Sequence, residues 1–142
     1  MDCLFCRIAN GEVEEAFVHE DDALVAFLDI NPIRPGHLQI VPRVHYTTFE
    51  EMPQDLAAAS IHLGQRLARA MKALYGVARV GFAYSGGDIA HAHAHVVPMV
   101  ERTDITSLRY IEADNLRFRS QPRPPADALR QTAAALRAVL RD

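Results

Sequence analysis

The stretch His91-Ala92-His93-Ala94-His95-Val96-Val97 spaces three imidazoles two residues apart. On an extended strand that spacing directs all three to one face of a sheet. A neutral imidazole nitrogen is a good nucleophile at about pH 7, and the protonated ring donates hydrogen bonds that can hold a phosphate oxygen. The cluster suits transfer of a phosphoryl or nucleotidyl group. It equally suits a three-histidine metal site, because spacing alone does not separate the two.

Around this stretch, residues 80–84 and 93–100 read as strands, joined by Ser85-Gly86-Gly87-Asp88, whose glycines permit backbone shapes closed to other residues. Upstream, a helical pattern begins at Pro53. Leu56, Ser60, Leu63, Leu67, Met71 and Leu74 recur every three or four residues, and Gly76 follows as a C-terminal cap. Before it, residues 16–20 and 23–29 are short apolar-rich runs split by Asp21-Asp22, the pattern of a hairpin. Asn31-Pro32 and Pro35-Gly36 close the second run, and residues 37–41 read as a third strand. Beyond Glu101 the chain turns polar and runs through Pro122-Arg123-Pro124-Pro125 as a connecting arm. A second helix is expected from Pro125, with Leu129, Ala133, Leu136 and Leu140 as its apolar stripe. Strands, helix, strands, helix in that order predicts an α+β fold with an antiparallel sheet.

A chain of 142 residues, 49% of them apolar, fits one domain that buries a core without a disulfide scaffold. Its net charge of −3 comes from interspersed acids and bases, which argues against a nucleic-acid binder working through a basic face. No run is long enough to span a bilayer. The opening Met1-Asp2-Cys3-Leu4-Phe5-Cys6-Arg7 lacks the basic lead and apolar stretch of a signal peptide, so no membrane association and a cytoplasmic location are expected. Two cysteines three positions apart fit metal or redox use in a reducing compartment better than a structural bridge, with metal-free thiols as the alternative.

Further motifs occur in order along the chain: Phe27-Leu28-Asp29-Ile30-Asn31-Pro32, Pro35-Gly36-His37 and Ile40-Val41-Pro42-Arg43-Val44-His45. Together with the three histidines they resemble the histidine triad (HIT) superfamily. The resemblance takes residues 1–101 as a HIT domain and leaves 102–142 as a C-terminal arm and helix packed on the same domain. It implies a five-stranded antiparallel sheet with one long central helix and a C-terminal helix. It also implies a homodimer that acts at the α-phosphate of a purine nucleotide derivative: a nucleoside phosphoramidate, an adenylated amine or a dinucleoside polyphosphate.

Residue by residue, the resemblance makes His93 the nucleophile that forms a covalent nucleotidyl-imidazole intermediate. His95 becomes the donor to a non-bridging oxygen and His37 a supporting histidine. Leu4, Phe5, Ile8, Phe27 and Ile30 match positions lining the base pocket, and Asp29 matches the carboxylate that accepts from the ribose hydroxyls. Read on composition alone, those apolar residues are equally ordinary core. Asp29 is more telling, since a charge between Leu28 and Ile30 needs a partner or solvent. Cys3-x-x-Cys6 resembles an amino-terminal zinc motif of bacterial relatives, with His45 and His91 as the matching histidines. Four such ligands close a tetrahedral shell, so the zinc would be structural, leaving His93 and His95 for phosphate.

Gly87, Asp88 and Ile89 match the phosphate-contacting loop, with two departures. Gly87 stands where relatives carry glutamine, and Asp88 stands where some carry a small hydroxyl residue. A glycine has no side chain to donate, and a carboxylate repels a phosphate unless it turns away or binds a cation. The altered loop and the long C-terminal arm lend modest support to an alternative of another class, a nucleotide-binding interaction module with little turnover, beside the leading reading of a nucleotide hydrolase or transferase.

Overall fold

The structure, a computed structural model, describes residues 2–86, 89–106, 124–128 and 131. Along the chain it forms α1 (Leu4–Ala9), β1 (Phe17–Glu20), β2 (Leu24–Leu28), β3 (Leu38–Pro42), α2 (Gln54–Tyr75), β4 (Arg79–Ala83) and β5 (Ala94–Met99). Short 3-10 turns occupy Phe49–Glu51 and Asp104–Thr106. The strands make one antiparallel sheet of five, in the order β1-β2-β3-β5-β4. The chain thus adopts the expected α+β class. Two compact units divide it, Met1–Ile111 and Glu112–Asp142, and every strand among the described residues lies in the first. The apolar stripe expected of a C-terminal helix (Leu129, Ala133, Leu136, Leu140) lies outside the described residues. Among the described residues no helix is long and apolar enough to cross a membrane.

Successive residues of a strand point to opposite faces, and both faces of this sheet are covered. On one face Leu24, Ala26, Leu38, Ile40, Ala94 and Val96 pack with Leu63, Leu67 and Met71 of α2. On the other, Val25, Phe27 and Val41 pack with Phe5, Ile8 and Ala9 of α1. That is why β2 reads as a continuous apolar run instead of an alternating one. In α2 the buried stripe is Ser60, Leu63, Gly64, Leu67 and Met71, spaced by threes and fours. Leu74, expected to extend that stripe, is 74% exposed, because the last turn of the helix runs past the core before Gly76 (φ +68°) caps it. Gly64 makes room for the Phe82 ring, whose atoms lie 2.7 Å from where a Cβ would stand.

The histidine cluster is built differently from the expected strand 93–100. β5 begins at Ala94, so of the three histidines only His95 sits in the ladder, opposite Gln39 of β3 and Ala83 of β4. The register that pairs Ile40 with Ala94 would continue through Val41 and His93 to set Pro42 opposite Ala92. Pro42 has no N–H to give, and its carbonyl instead accepts from the His91 ring at 2.8 Å. The ladder stops there, and the Ala92 N–H donates to the Tyr46 carbonyl at 2.7 Å.

Between β2 and β3 the chain makes a tight turn at Arg34-Pro35-Gly36-His37, closed by the His37 N–H on the Arg34 carbonyl at 3.0 Å. Proline at its second position and a positive φ (+95°) at Gly36 are the marks of a type II turn. A Cβ on Gly36 would lie 2.5 Å from the Tyr75 ring. Gly36→Ala is therefore expected to destabilise the fold by about 1–3 kcal/mol through backbone strain and overpacking. A lowered urea midpoint is the expected reading, and an unchanged midpoint contradicts this account of the turn.

Candidate active site and metal centre

Two groups of side chains converge on the α1 face of the sheet. The first brings together Cys3 at the N-cap of α1, Cys6 within α1, His45 after β3 and His91 before β5. One ligand atom from each lies within 4.8 Å of all the others. The Nδ1 atoms of His45 and His91 are 3.1 Å apart, Cys6 Sγ lies 3.3 Å from His45 Nδ1, and each sulfur lies 3.4 Å from His91 Nδ1. Zinc bonded tetrahedrally to nitrogen and sulfur requires edges of about 3.3 Å between nitrogens and about 3.6 Å between sulfur and nitrogen, so the cluster is nearly that size.

Protonation also fits a cation. A carbonyl can only accept, so His91 carries its hydrogen on Nε2 for Pro42, and its Nδ1 presents a lone pair to the cluster. Burial pushes the His91 pKa down, which favours this neutral form. Burial, reinforced by the neighbouring Cys3, pushes the Cys6 thiol up, so a thiolate here needs a positive partner.

The second group is the triad with its supports. His93 Nδ1 lies 2.7 Å from the His91 carbonyl, so it is the donor and the lone pair sits on Nε2. The ring is 6% exposed and packs edge-on against Phe5, centroids 5.1 Å apart, and against His95 at the same separation. His95 is oriented from behind. The Ile33 N–H donates to His37 Nδ1 at 3.0 Å, which leaves the hydrogen of a neutral His37 on Nε2. That Nε2–H donates to His95 Nδ1 at 2.9 Å, so His95 in turn carries its hydrogen on Nε2. Burial holds the His37 pKa down, only partly offset by Asp29, whose Oδ2 lies 3.6 Å from His37 Nε2. Asp29, His37 and His95 also approach one another closely enough to suggest a metal site. The hydrogen that His37 must carry on Nε2 argues against metal binding there.

Of the residues expected to form a nucleoside pocket, Phe5 and Phe27 are buried, with ring centroids 5.6 Å apart, and Ile89 packs partly against their cluster. Ile8 is fully within the core. Leu4 and Ile30 are exposed, Ile30 at 78%. The Asp29 carboxylate finds the partners its position demands: Gln39 Nε2 and the Asn31 N–H, both at 2.7 Å. Gly87 and Asp88 lie outside the described residues. A cleft of about 140 Å³ opens beside His93, lined by Thr48, Phe49, Tyr84, Ser85 and Ile89 among others. A larger cleft of about 640 Å³, lined by Tyr75, Arg79, Glu101 and Arg102 among others, contains none of the expected site residues.

Several residues that shape the site carry no motif of their own. Gln39 orients Asp29, and its lone polarity in Leu38-Gln39-Ile40-Val41 was the available signal. Arg34 forks onto Asp104 at 2.7 and 3.0 Å, and this pairing holds the Asp104 carboxyl down at about 2. Nothing in the sequence joins those two positions, seventy residues apart.

Comparison with known proteins agrees with this geometry. The HIT domain family matches residues 10–102. A HIT-like protein of Methanocaldococcus jannaschii is 37% identical over 103 residues, covering 70% of this chain and 80% of the relative. The adenosine 5'-monophosphoramidase of Saccharomyces cerevisiae is 31% identical over 97 residues, covering 68% of this chain and 61% of the relative. Among solved structures, a Zn-bound histidine triad family protein from Mycobacterium smegmatis superposes with a TM-score of 0.66 at 28% identity. The match covers 98% of this chain and 96% of that one. With the HIT domain matched over residues 10–102 and the three histidines at the entry to β5 of the expected sheet, the chain belongs to the HIT domain family.

Proposed function

We propose that the protein cleaves nucleotide conjugates at the α-phosphate, through a covalent intermediate on His93. Its substrates in this reading are nucleoside phosphoramidates, adenylated amines or dinucleoside polyphosphates carrying a purine base. The observation that carries the proposal is the His93 tautomer: Nδ1–H is spent on the His91 carbonyl, which leaves the Nε2 lone pair for attack. Among the described residues the hydrogen bond of the His93 ring is the one made by Nδ1. A relative named as an adenosine 5'-monophosphoramidase supports the choice of substrate class.

In the first step the Nε2 lone pair bonds to phosphorus while the bond from phosphorus to the amine nitrogen or polyphosphate oxygen breaks. The leaving group departs with that electron pair and takes up a proton from solvent, which the attacking water gives back in the second step. Water then attacks phosphorus, the P–Nε2 bond breaks, and nucleoside monophosphate leaves with the imidazole restored. One water is consumed per turnover. His95 Nε2–H donates to a non-bridging oxygen, where charge builds in both steps, and His37 keeps that hydrogen in place. Phe5, Phe27, Leu4 and Ile30 serve the base, with Ile8 packed behind Phe5 and Phe27 in the core, Asp29 serves the ribose, and Gly87, Asp88 and Ile89 the phosphate.

Cys3, Cys6, His45 and His91 hold a structural zinc in this reading, and a Zn-bound relative supports the choice of ion. When bound, the ion supplies a cross-link between α1 and the segment entering β5. It commits His91 and keeps Phe5 against the His93 ring. The functional assembly is a homodimer.

The proposal is tested with a panel of adenosine and guanosine conjugates, following monophosphate release, beside calorimetry with the monophosphates. Release from at least one conjugate class with multiple turnovers is expected. Tight monophosphate binding without product favours the interaction module instead, and neither binding nor release overturns both.

A further inference from the structure

The loop joining β2 to β3 supplies the backbone donor on which the tautomers of the site depend. Residues 29–37 connect β2 to β3, their ends joined by the Asp29 N–H on the His37 carbonyl at 2.9 Å, and the Ile33 N–H within them decides on which nitrogen His37, and through it His95, carries a hydrogen. Two rings in series have two self-consistent arrangements. With Ile33 N–H on His37 Nδ1, both rings are Nε2–H, and His95 is a donor at its outer nitrogen. Without it, His37 can hold its hydrogen on Nδ1 and accept from His95 at Nε2. The outer nitrogen of His95 then carries a lone pair, which repels a phosphate oxygen.

Ile33 is pinned by burial of its own side chain and by its neighbour Arg34. Arg34 begins the type II turn and sends its guanidinium to Asp104 in a bidentate contact, Nε to Oδ2 at 2.7 Å and Nη2 to Oδ1 at 3.0 Å. Asp104 Oδ2 also accepts the Val100 and Glu101 N–H groups at 2.9 and 3.0 Å, directly after β5. The pair is little exposed, 17% for the arginine side chain and 5% for the aspartate, so solvent screens it weakly. Asp104 therefore ties the loop that carries Ile33 to the end of the strand that carries His95. Asp104 itself lies beyond the residues matched by the family domain.

We propose that Arg34 and Asp104 are positioning residues: by holding the Ile33 N–H on His37 Nδ1 they keep His95 an Nε2–H donor. The inference rests on the hydrolase reading for its catalytic consequence. Its structural content, the tautomer pair, is open to measurement without any substrate.

The test uses the full chain with Arg34→Met, Arg34→Lys and Asp104→Asn, each first shown to be folded by its denaturation profile. Imidazole nitrogen–proton correlation spectra at about pH 8 identify the tautomers of His37 and His95. In the wild type both rings are expected as Nε2–H. In Arg34→Met a second, Nδ1–H population of His37 should appear, and kcat for adenosine 5'-phosphoramidate should fall by roughly 10–100-fold. The dissociation constant for adenosine monophosphate should stay within about threefold, because the loss falls on charge developed during reaction. Arg34→Lys and Asp104→Asn, which keep part of the contact, should fall between. Wild-type tautomers in Arg34→Met, or kcat within about twofold of wild type, overturn the proposal. A wild-type protein that releases no monophosphate overturns the hydrolase reading instead, and the spectra alone then decide the role of the clamp.

Discussion

Under the proposed mechanism, replacing His93 by glycine or asparagine is expected to lower monophosphate release by at least roughly 10³-fold while leaving nucleotide binding measurable. The size follows from the absence of a substitute among the neighbouring rings. His91 directs Nε2–H to the Pro42 carbonyl and Nδ1 into the Cys3–Cys6–His45 cluster. His95 accepts from His37 at Nδ1 and carries its hydrogen on Nε2. Neither presents a nucleophilic lone pair to a phosphate, so loss of His93 removes the two-step route altogether, and what remains is charge stabilisation and positioning. Binding is expected to survive because the proposed base and ribose contacts are Phe5, Phe27 and Asp29, none of which is hydrogen-bonded to His93. Calorimetry with adenosine monophosphate beside initial rates checks both halves. A variant with near-normal turnover, or one that loses binding and turnover together, contradicts the assignment.

Zinc removal has the second-largest expected effect. Wild-type protein should contain one zinc per chain, and Cys6→Ala should contain none. An ion held by the folded but not the unfolded chain stabilises by RT ln(1 + [L]/Kd), about 4 kcal/mol when free zinc is 1,000 times Kd. Chelation should therefore lower the melting temperature of the wild type and leave Cys6→Ala unmoved. Activity should fall as well, since α1 carries both Cys6 and the Phe5 ring that packs on His93. Metal analysis with calorimetric melting decides the matter. A metal-free wild type that stays folded and active ends the zinc assignment.

Much of this molecule was legible in the sequence because its signals are local or periodic. The stripe Leu63, Leu67, Met71 announced α2, and Pro35-Gly36 announced the turn that the positive φ of Gly36 fulfils. Cys3, Cys6, His45 and His91 were grouped from a resemblance to relatives, and the fold brings them within 4.8 Å of one another. The strand entering the triad was misjudged because alternation of histidine and alanine satisfies a strand pattern whether or not a partner strand continues. What ends the ladder is Pro42, on another strand, and no reading of residues 91–95 alone contains it. Leu74 failed for a similar reason: helical spacing sets which side a residue faces, while exposure depends on where the core ends. The tautomers lie further from the sequence still. They depend on the Ile33 N–H, the Pro42 carbonyl and the His91 carbonyl, backbone groups that every residue type except proline's missing N–H supplies alike.

The central claim is that His93 Nε2 becomes bonded to phosphorus during turnover. Acid-labile nucleotidyl-histidine is best sought by rapid quench into base with a slowly turned-over adenosine conjugate, followed by peptide mass analysis. An adenylyl group on the peptide containing His93, absent from the His93→Gly protein, is the predicted result. Steady release of adenosine monophosphate with no adduct at any quench time, or an adduct on another residue, contradicts it.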